Sequence, residues 1–166
     1  MKNAFRNLVA RVDPQLRLWL IGIVLVGMSA GIFETMFNNY LSDTFAISAD
    51  TRGYLEFPRE LPGFLTALFA GALFFLPETL IAGLCGLMIG IGMLGLAIWG
   101  SHWTPMLILM ILWSCGTHLL MPVRSSVSML LAHDTQRGRR LGQVQGAGLA
   151  AMVLGGVKRE RLALNH

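Results

Sequence analysis

The sequence predicts an all-α protein, a multi-pass bundle of transmembrane helices. Hydrophobic residues make up 54% of the 166-residue chain and charged residues only 13%, whereas an ordinary globular domain is about 25% charged. The segment 79–123 contains no Lys, Arg, Asp or Glu. It holds two apolar runs of about 20 residues, and each, as a helix, is long enough to cross a hydrocarbon core of about 30 Å.

Five transmembrane helices are predicted from the apolar runs, at about 18–38, 57–77, 79–100, 103–131 and 141–157. The first follows a basic segment, residues 1–17, and its apolar run is too long for the core of a secretory signal. Pro58 and Pro62 suit the start of the second helix, because proline is tolerated in the first helical turn. Only Pro77-Glu78 separates the second helix from the third, so these two helices are expected to be antiparallel neighbours.

The basic residues predict a cytoplasmic N-terminus in an inner (plasma) membrane protein. With five spans, the outer loops carry only Arg52 and Arg59. The N-terminal side carries eight Lys and Arg residues, as the positive-inside rule expects: Lys2, Arg6, Arg11, Arg17, Arg124, Arg137, Arg139 and Arg140. These charges lie at the ends of apolar runs and not along a face with interleaved aromatics. The expected partner is therefore membrane lipid and not nucleic acid.

The C-terminal segment does not fit this pattern. The fifth helix should emerge outside, yet it is followed by Lys158-Arg159-Glu160-Arg161. We hypothesise that the natural helix is cut off here and that residues 158–166 are a non-native tail.

Several features together resemble the N-terminal half of a major facilitator superfamily transporter. The first helix is rich in glycine, the fourth ends in Pro122-Val123-Arg124, and Arg137-Gly138-Arg139-Arg140 leads into the fifth. The resemblance covers roughly residues 17–156, about five of the first six helices of that family. One departure is clear: the family's Gly/Asp/Arg-rich loop between helices two and three is replaced by Leu-Pro-Glu-Thr at 76–79.

This resemblance implies a partial six-helix half of a major-facilitator-type fold. In that family, two such halves surround a central substrate path. The chain would then need a missing C-terminal half or a partner chain to complete the transporter.

Polar residues near the ends of the apolar runs are candidates for substrate binding or ion coupling: Glu34, Asn38, Asn39, Arg59, Glu60 and His118. Glu34 is the only acid in the first apolar run and lies about 25 Å along the helix from Arg17, near the outer face. A carboxylate inside a membrane is costly unless it faces a cavity or a partner. Glu34 therefore either couples protons or contacts substrate, or it snorkels to the outer interface.

The other candidates also have two interpretations each. Asn38 and Asn39 either line an outer vestibule or form a polar, capped helix end. Arg59 and Glu60 form either a gate or a neutralised structural ion pair, and Glu60 also suits a helix N-terminus. His118 either relays protons or packs inside the fourth helix.

No motif predicts catalysis, a metal or a cofactor. The sequence has no HExxH motif, no Walker loop and no His/Cys cluster at metal-ligand spacing. One segment matches the dinucleotide pattern G-x-G-x-x-G, namely Gly90-Ile91-Gly92-Met93-Leu94-Gly95. It lies in the middle of an apolar run, and the first acid after it is Asp134. We predict that it serves helix packing.

The leading functional hypothesis is a transporter fragment that moves an unidentified small solute by alternating access, coupled to protons or sodium. One alternative is a non-transporting multi-pass membrane scaffold or assembly subunit. The other, less favoured, is a membrane-embedded enzyme, which would need more intramembrane His, Asp or Glu than Glu34 and His118.

Overall fold

The computed structural model describes residues 13–73, 75–132 and 136–163, and within these ranges all regular structure is helical. The prediction of an all-α protein is therefore confirmed for the described part of the chain. The helices are α1 (Pro14–Phe45), α2 (Ala49–Phe64), α3 (Thr66–Ala72), α4 (Glu78–Trp99), α5 (Trp103–Leu130) and α6 (Arg137–Ala163). The basic N-terminal segment up to residue 12, loop residues 133–135 and tail residues 164–166 lie outside the described residues.

In the described part of the chain, three helices have the length and apolar composition needed to cross a membrane. They are α1, α4 and α5, with 32, 22 and 28 residues. They correspond to the first, third and fourth predicted spans. Within the described residues, the predicted second and fifth spans do not form helices of this kind.

The polar segment that joins the first two predicted spans is largely helical. No proline or glycine interrupts the polar end of the first helix, so α1 continues to Phe45. It stops at Ala46, whose φ of 51° is the left-handed conformation that commonly ends a helix. The next helix begins after Ser48, whose Oγ accepts a hydrogen bond from the Thr51 backbone N–H at 3.3 Å.

The predicted second span, 57–77, is divided between the end of α2, the short helix α3 and residues 73, 75 and 76, which are not helical. Pro58 and Pro62 lie inside α2 and remove two backbone donors from its hydrogen-bond ladder. The helix then ends at Leu65, whose N–H still bonds to the Leu61 carbonyl oxygen at 3.2 Å. Among the described residues of this segment, no continuous apolar helix of spanning length results.

The chain divides into two compact units. The terminal unit comprises residues 1–32 and 128–166, and the central unit comprises residues 33–127. In the terminal unit, Trp19 beside the buried core donates a hydrogen bond from Nε1 to the buried Ser128 Oγ at 3.2 Å.

In the central unit, α4 and α5 pack closely through glycine. A Cβ at Gly92 would lie 2.7 Å from the Cβ of Trp113, and a Cβ at Gly116 would lie 2.8 Å from the Cys85 carbonyl oxygen. Such distances allow no side chain larger than hydrogen without a shift of the helices. Gly92 therefore serves helix packing, as predicted for the G-x-G-x-x-G match.

In the terminal unit, α1 and α6 also meet through glycine. A Cβ at Gly27 would lie 2.5 Å from the Gly148 carbonyl oxygen, and a Cβ at Gly155 would lie 2.5 Å from the Met28 carbonyl oxygen. Small residues let helix backbones approach closely, which is the usual basis of helix association in lipid. This contact explains the glycine at position 155, whereas a Cβ at Gly142 or Gly146 would have no described atom within 4 Å.

We expect Gly27→Ala to lower the free energy of unfolding by roughly 1–3 kcal/mol, because the added methyl group meets a backbone oxygen that cannot rotate away. The matched control is Gly22→Ala on the same helix, where no described atom lies within 4 Å of the new methyl group. That control should be neutral or stabilising by up to about 1 kcal/mol, since alanine favours the helix over glycine. Unfolding in detergent micelles, followed by circular dichroism, measures both. Equal free energies for the two variants would contradict the close contact.

Candidate functional site

Arg59 on α2 is the centre of an ion-pair cluster in the central unit. Its Nη2 lies 2.6 Å from Glu56 Oε2 and 3.2 Å from Glu60 Oε1, and its Nη1 lies 3.7 Å from Glu34 Oε2. The Arg59 side chain is only 15% exposed, whereas the three glutamates are 42–44% exposed. One largely buried guanidinium group therefore holds three half-exposed carboxylates that come from α1 and α2.

His118 on α5 extends this cluster to a third helix. Its Nε2 lies 3.4 Å from Glu60 Oε2, so Glu60 bridges the guanidinium group and the imidazole. The imidazole ring lies directly over Gly63, where a Cβ would come within 2.9 Å of ring atoms Cε1 and Nδ1. A side chain at this position would therefore require the His118 ring to shift. We call Glu34, Glu56, Arg59, Glu60 and His118 the Arg59 cluster.

Buried contacts on the same three helices position the Arg59 cluster. The Ser114 hydroxyl, which is fully buried on α5, donates a hydrogen bond to the Arg59 carbonyl oxygen. Next to Ser114, the Trp113 ring stacks on Phe33 of α1 with 3.7 Å between ring centroids. Stacked aromatic pairs contribute about 0.5–1.5 kcal/mol beyond their buried area. Since Phe33 precedes Glu34, this stack holds the Glu34 backbone beside α5.

The Arg59 cluster carries an excess of negative charge. Three carboxylates and one guanidinium group give it a net charge of −2 while the His118 imidazole is neutral, and −1 when the imidazole is protonated. Ion pairs this exposed contribute only about 0–1 kcal/mol each, so no single pair locks the arrangement. The three carboxylates compete for one cation, and the Glu34 pair is the longest of the three. Arg59 therefore contacts three carboxylates at once, and the one on α1 lies farthest from it.

The structure brings together four of the six residues predicted from the sequence, namely Glu34, Arg59, Glu60 and His118. Arg59 and Glu60 were expected to pair, and they do. The links to Glu34 and His118 were not predicted. They require α1, α2 and α5 to pack together, which no short-range pattern in the sequence specifies.

Asn38 and Asn39 do not join the Arg59 cluster. Both side chains are exposed, and the Asn38 backbone carbonyl oxygen accepts a hydrogen bond from Arg52 Nη1 at 3.5 Å. Sequence reasoning missed Glu56. Its spacing of three residues before Arg59 was the available signal, because residues three apart on a helix are neighbours.

Within the described ranges, no group of three or more His, Cys, Asp and Glu side chains is placed to hold a metal ion. No family model, curated protein or solved structure matches the chain. The resemblance to major facilitator transporters therefore stays a prediction.

We expect Arg59→Gln to lower the free energy of unfolding by roughly 1–3 kcal/mol, since it leaves three carboxylates facing one another without a cation. Arg52→Gln is the matched control on the same helix. It removes an exposed guanidinium group with a single 3.5 Å hydrogen bond, so its effect should stay within about 0.5 kcal/mol. Chemical unfolding of both variants in the same detergent measures the difference. An Arg59→Gln variant as stable as Arg52→Gln would mean that the ion pairs do not hold the helices.

Proposed function

We propose that this chain belongs to a secondary active transporter of the membrane and that the Arg59 cluster couples proton binding to a change in helix packing. The observation that supports this most is the competition of Glu34, Glu56 and Glu60 for Arg59 across two helices. Ionisable side chains within membrane helices raise the free energy of the folded protein and commonly mark ion or substrate pathways. An ion-pair cluster that served only to join helices would need one carboxylate for one guanidinium group.

The proposed coupling starts at Glu34. Proton binding to its carboxylate removes one of the three negative charges, so Arg59 is left to the two glutamates of its own helix. The ion pair between α1 and α2 is then broken. A small solute that binds better to one of these two arrangements shifts the population between them, which is the thermodynamic requirement for coupled transport.

His118 provides a second place for a proton. A protonated imidazole attracts Glu60 and competes with Arg59 for the same carboxylate group. Proton transfer between Glu34 and His118 would thus move Arg59 between the carboxylate of α1 and the carboxylates of α2. This favours proton coupling over sodium coupling. Each step moves either a proton or the Arg59 guanidinium group, and no step needs a sodium ion.

The proposal extends to the fold and the membrane. The three apolar helices suit one half of a major-facilitator-type transporter in an inner (plasma) membrane, with the N-terminus in the cytoplasm. The solute enters a path bordered by α1, α2 and α5, which carry the cluster. A second copy of this chain, as the partner chain, would complete that path.

Proton-coupled uptake should be measurable with the chain reconstituted in liposomes that contain the pH dye pyranine. Pools of sugars, amino acids, organic acids and amines are added outside at an inward proton gradient. We expect at least one pool to acidify the interior faster, and Glu34→Gln to slow this acidification at least tenfold.

The matched control is Asp43→Asn, which removes an exposed carboxylate from the same helix outside the Arg59 cluster. It should keep the rate of the unmodified chain. If no pool causes acidification, or if Glu34→Gln transports as fast as Asp43→Asn, proton-coupled transport is wrong. A non-transporting membrane scaffold then becomes the better account.

A further inference from the structure

A second feature of the central unit is a cavity of about 280 Å³ between the start of α4 and the later part of α5. Its walls are mainly aliphatic and include Leu73, Leu76, Ile81, Leu119 and Val123. The volume is slightly below the roughly 300–1,000 Å³ of pockets that hold drug-sized ligands. A compact molecule with an apolar body therefore fits this space.

Glu78 is the charged residue in the cavity wall, and the Arg59 cluster does not use it. Its Oε1 accepts a hydrogen bond from the Ser126 hydroxyl, which also lines the cavity. Its Oε2 is buried and, within the described residues, has no hydrogen-bond partner. A buried acceptor without a donor costs roughly 1–3 kcal/mol, and more when it is charged.

The helix dipole explains why an acid occupies position 78, but it does not explain the unpaired oxygen or the cavity. An acid in the first turn of α4 interacts favourably with the helix dipole, so Glu78 would stabilise the helix start in any case. The dipole does not supply a donor to Oε2, and it does not explain a cavity with aliphatic walls beside the carboxylate. A ligand with a cationic N–H group could donate a hydrogen bond to Glu78 Oε2 while its apolar part fills the cavity.

We propose that this cavity binds a small lipophilic amine. The ammonium group donates to Glu78 Oε2, and the apolar body packs against the leucine and valine side chains. Among the described residues that line the cavity, none is Lys, Arg or His, so none of them places a positive charge against an amine. An uncharged lipid chain or sterol would also fill the aliphatic space, but it would leave Oε2 without a donor.

The test compares 1-adamantylamine with 1-adamantanol, which share one apolar cage and differ in the charged group. Binding of each is measured on the full chain in nanodiscs of uncharged phosphatidylcholine, so that lipid charge does not attract the amine. We expect the amine to bind at least tenfold more tightly than the alcohol. Glu78→Gln should reduce this preference to less than threefold, and the control Asp43→Asn should leave it unchanged.

A second variant acts on the cavity itself. Val123→Trp places an indole ring in the space, so both the amine and the alcohol should lose at least tenfold in affinity, with helix content checked by circular dichroism. The proposal is overturned if the amine shows no saturable binding or if the alcohol binds as tightly as the amine. It is also overturned if the amine preference survives Glu78→Gln or if Val123→Trp leaves amine binding intact. None of these outcomes depends on Glu34 or on transport, so they are separate from the test of proton coupling.

Discussion

The competition of three carboxylates for the Arg59 guanidinium group is the interaction on which the central unit depends. Arg59 is largely buried, so it needs its anionic partners, while the glutamates stay accessible enough to exchange protons. Buried charges without partners are strongly destabilising, whereas half-exposed ion pairs are individually weak. The cluster therefore joins α1, α2 and α5 firmly as a set while each single ion pair remains exchangeable. The proton coupling proposed above depends on that combination.

Much of the helical fold could be predicted from the sequence, because apolar composition and run length alone identify helices that can cross a membrane. The predictions succeeded where one uniform pattern decides the outcome, as in the segment 79–123. The structure differs where two patterns compete. In residues 57–77 the apolar run argued for one span, but α2 runs through Pro58 and Pro62 and ends at Phe64, and only the short helix α3 follows.

The Arg59 cluster could be predicted only in part, because it depends on contacts between segments that are distant in the sequence. Glu34 was recognisable as an acid in an apolar run, and the neighbours Arg59 and Glu60 as a pair of opposite charge. Their connection to His118 depends on the absent side chain at Gly63, which lets the imidazole approach. Glycine occurs at many positions in this chain, so its sequence position alone does not show where a ring will pack. The cavity beside Glu78 likewise exists only once α4 and α5 are paired.

A double-mutant cycle between Glu34 and Arg59 tests the central claim most directly. The free energy of unfolding is measured for the unmodified chain, Glu34→Gln, Arg59→Gln and the double variant in one detergent. We predict a coupling free energy of at least about 0.5 kcal/mol, with the double variant more stable than the sum of the single effects implies. Effects that add within about 0.3 kcal/mol would show that Glu34 and Arg59 do not interact. The ion pair between α1 and α2, and the proton coupling built on it, would then be wrong.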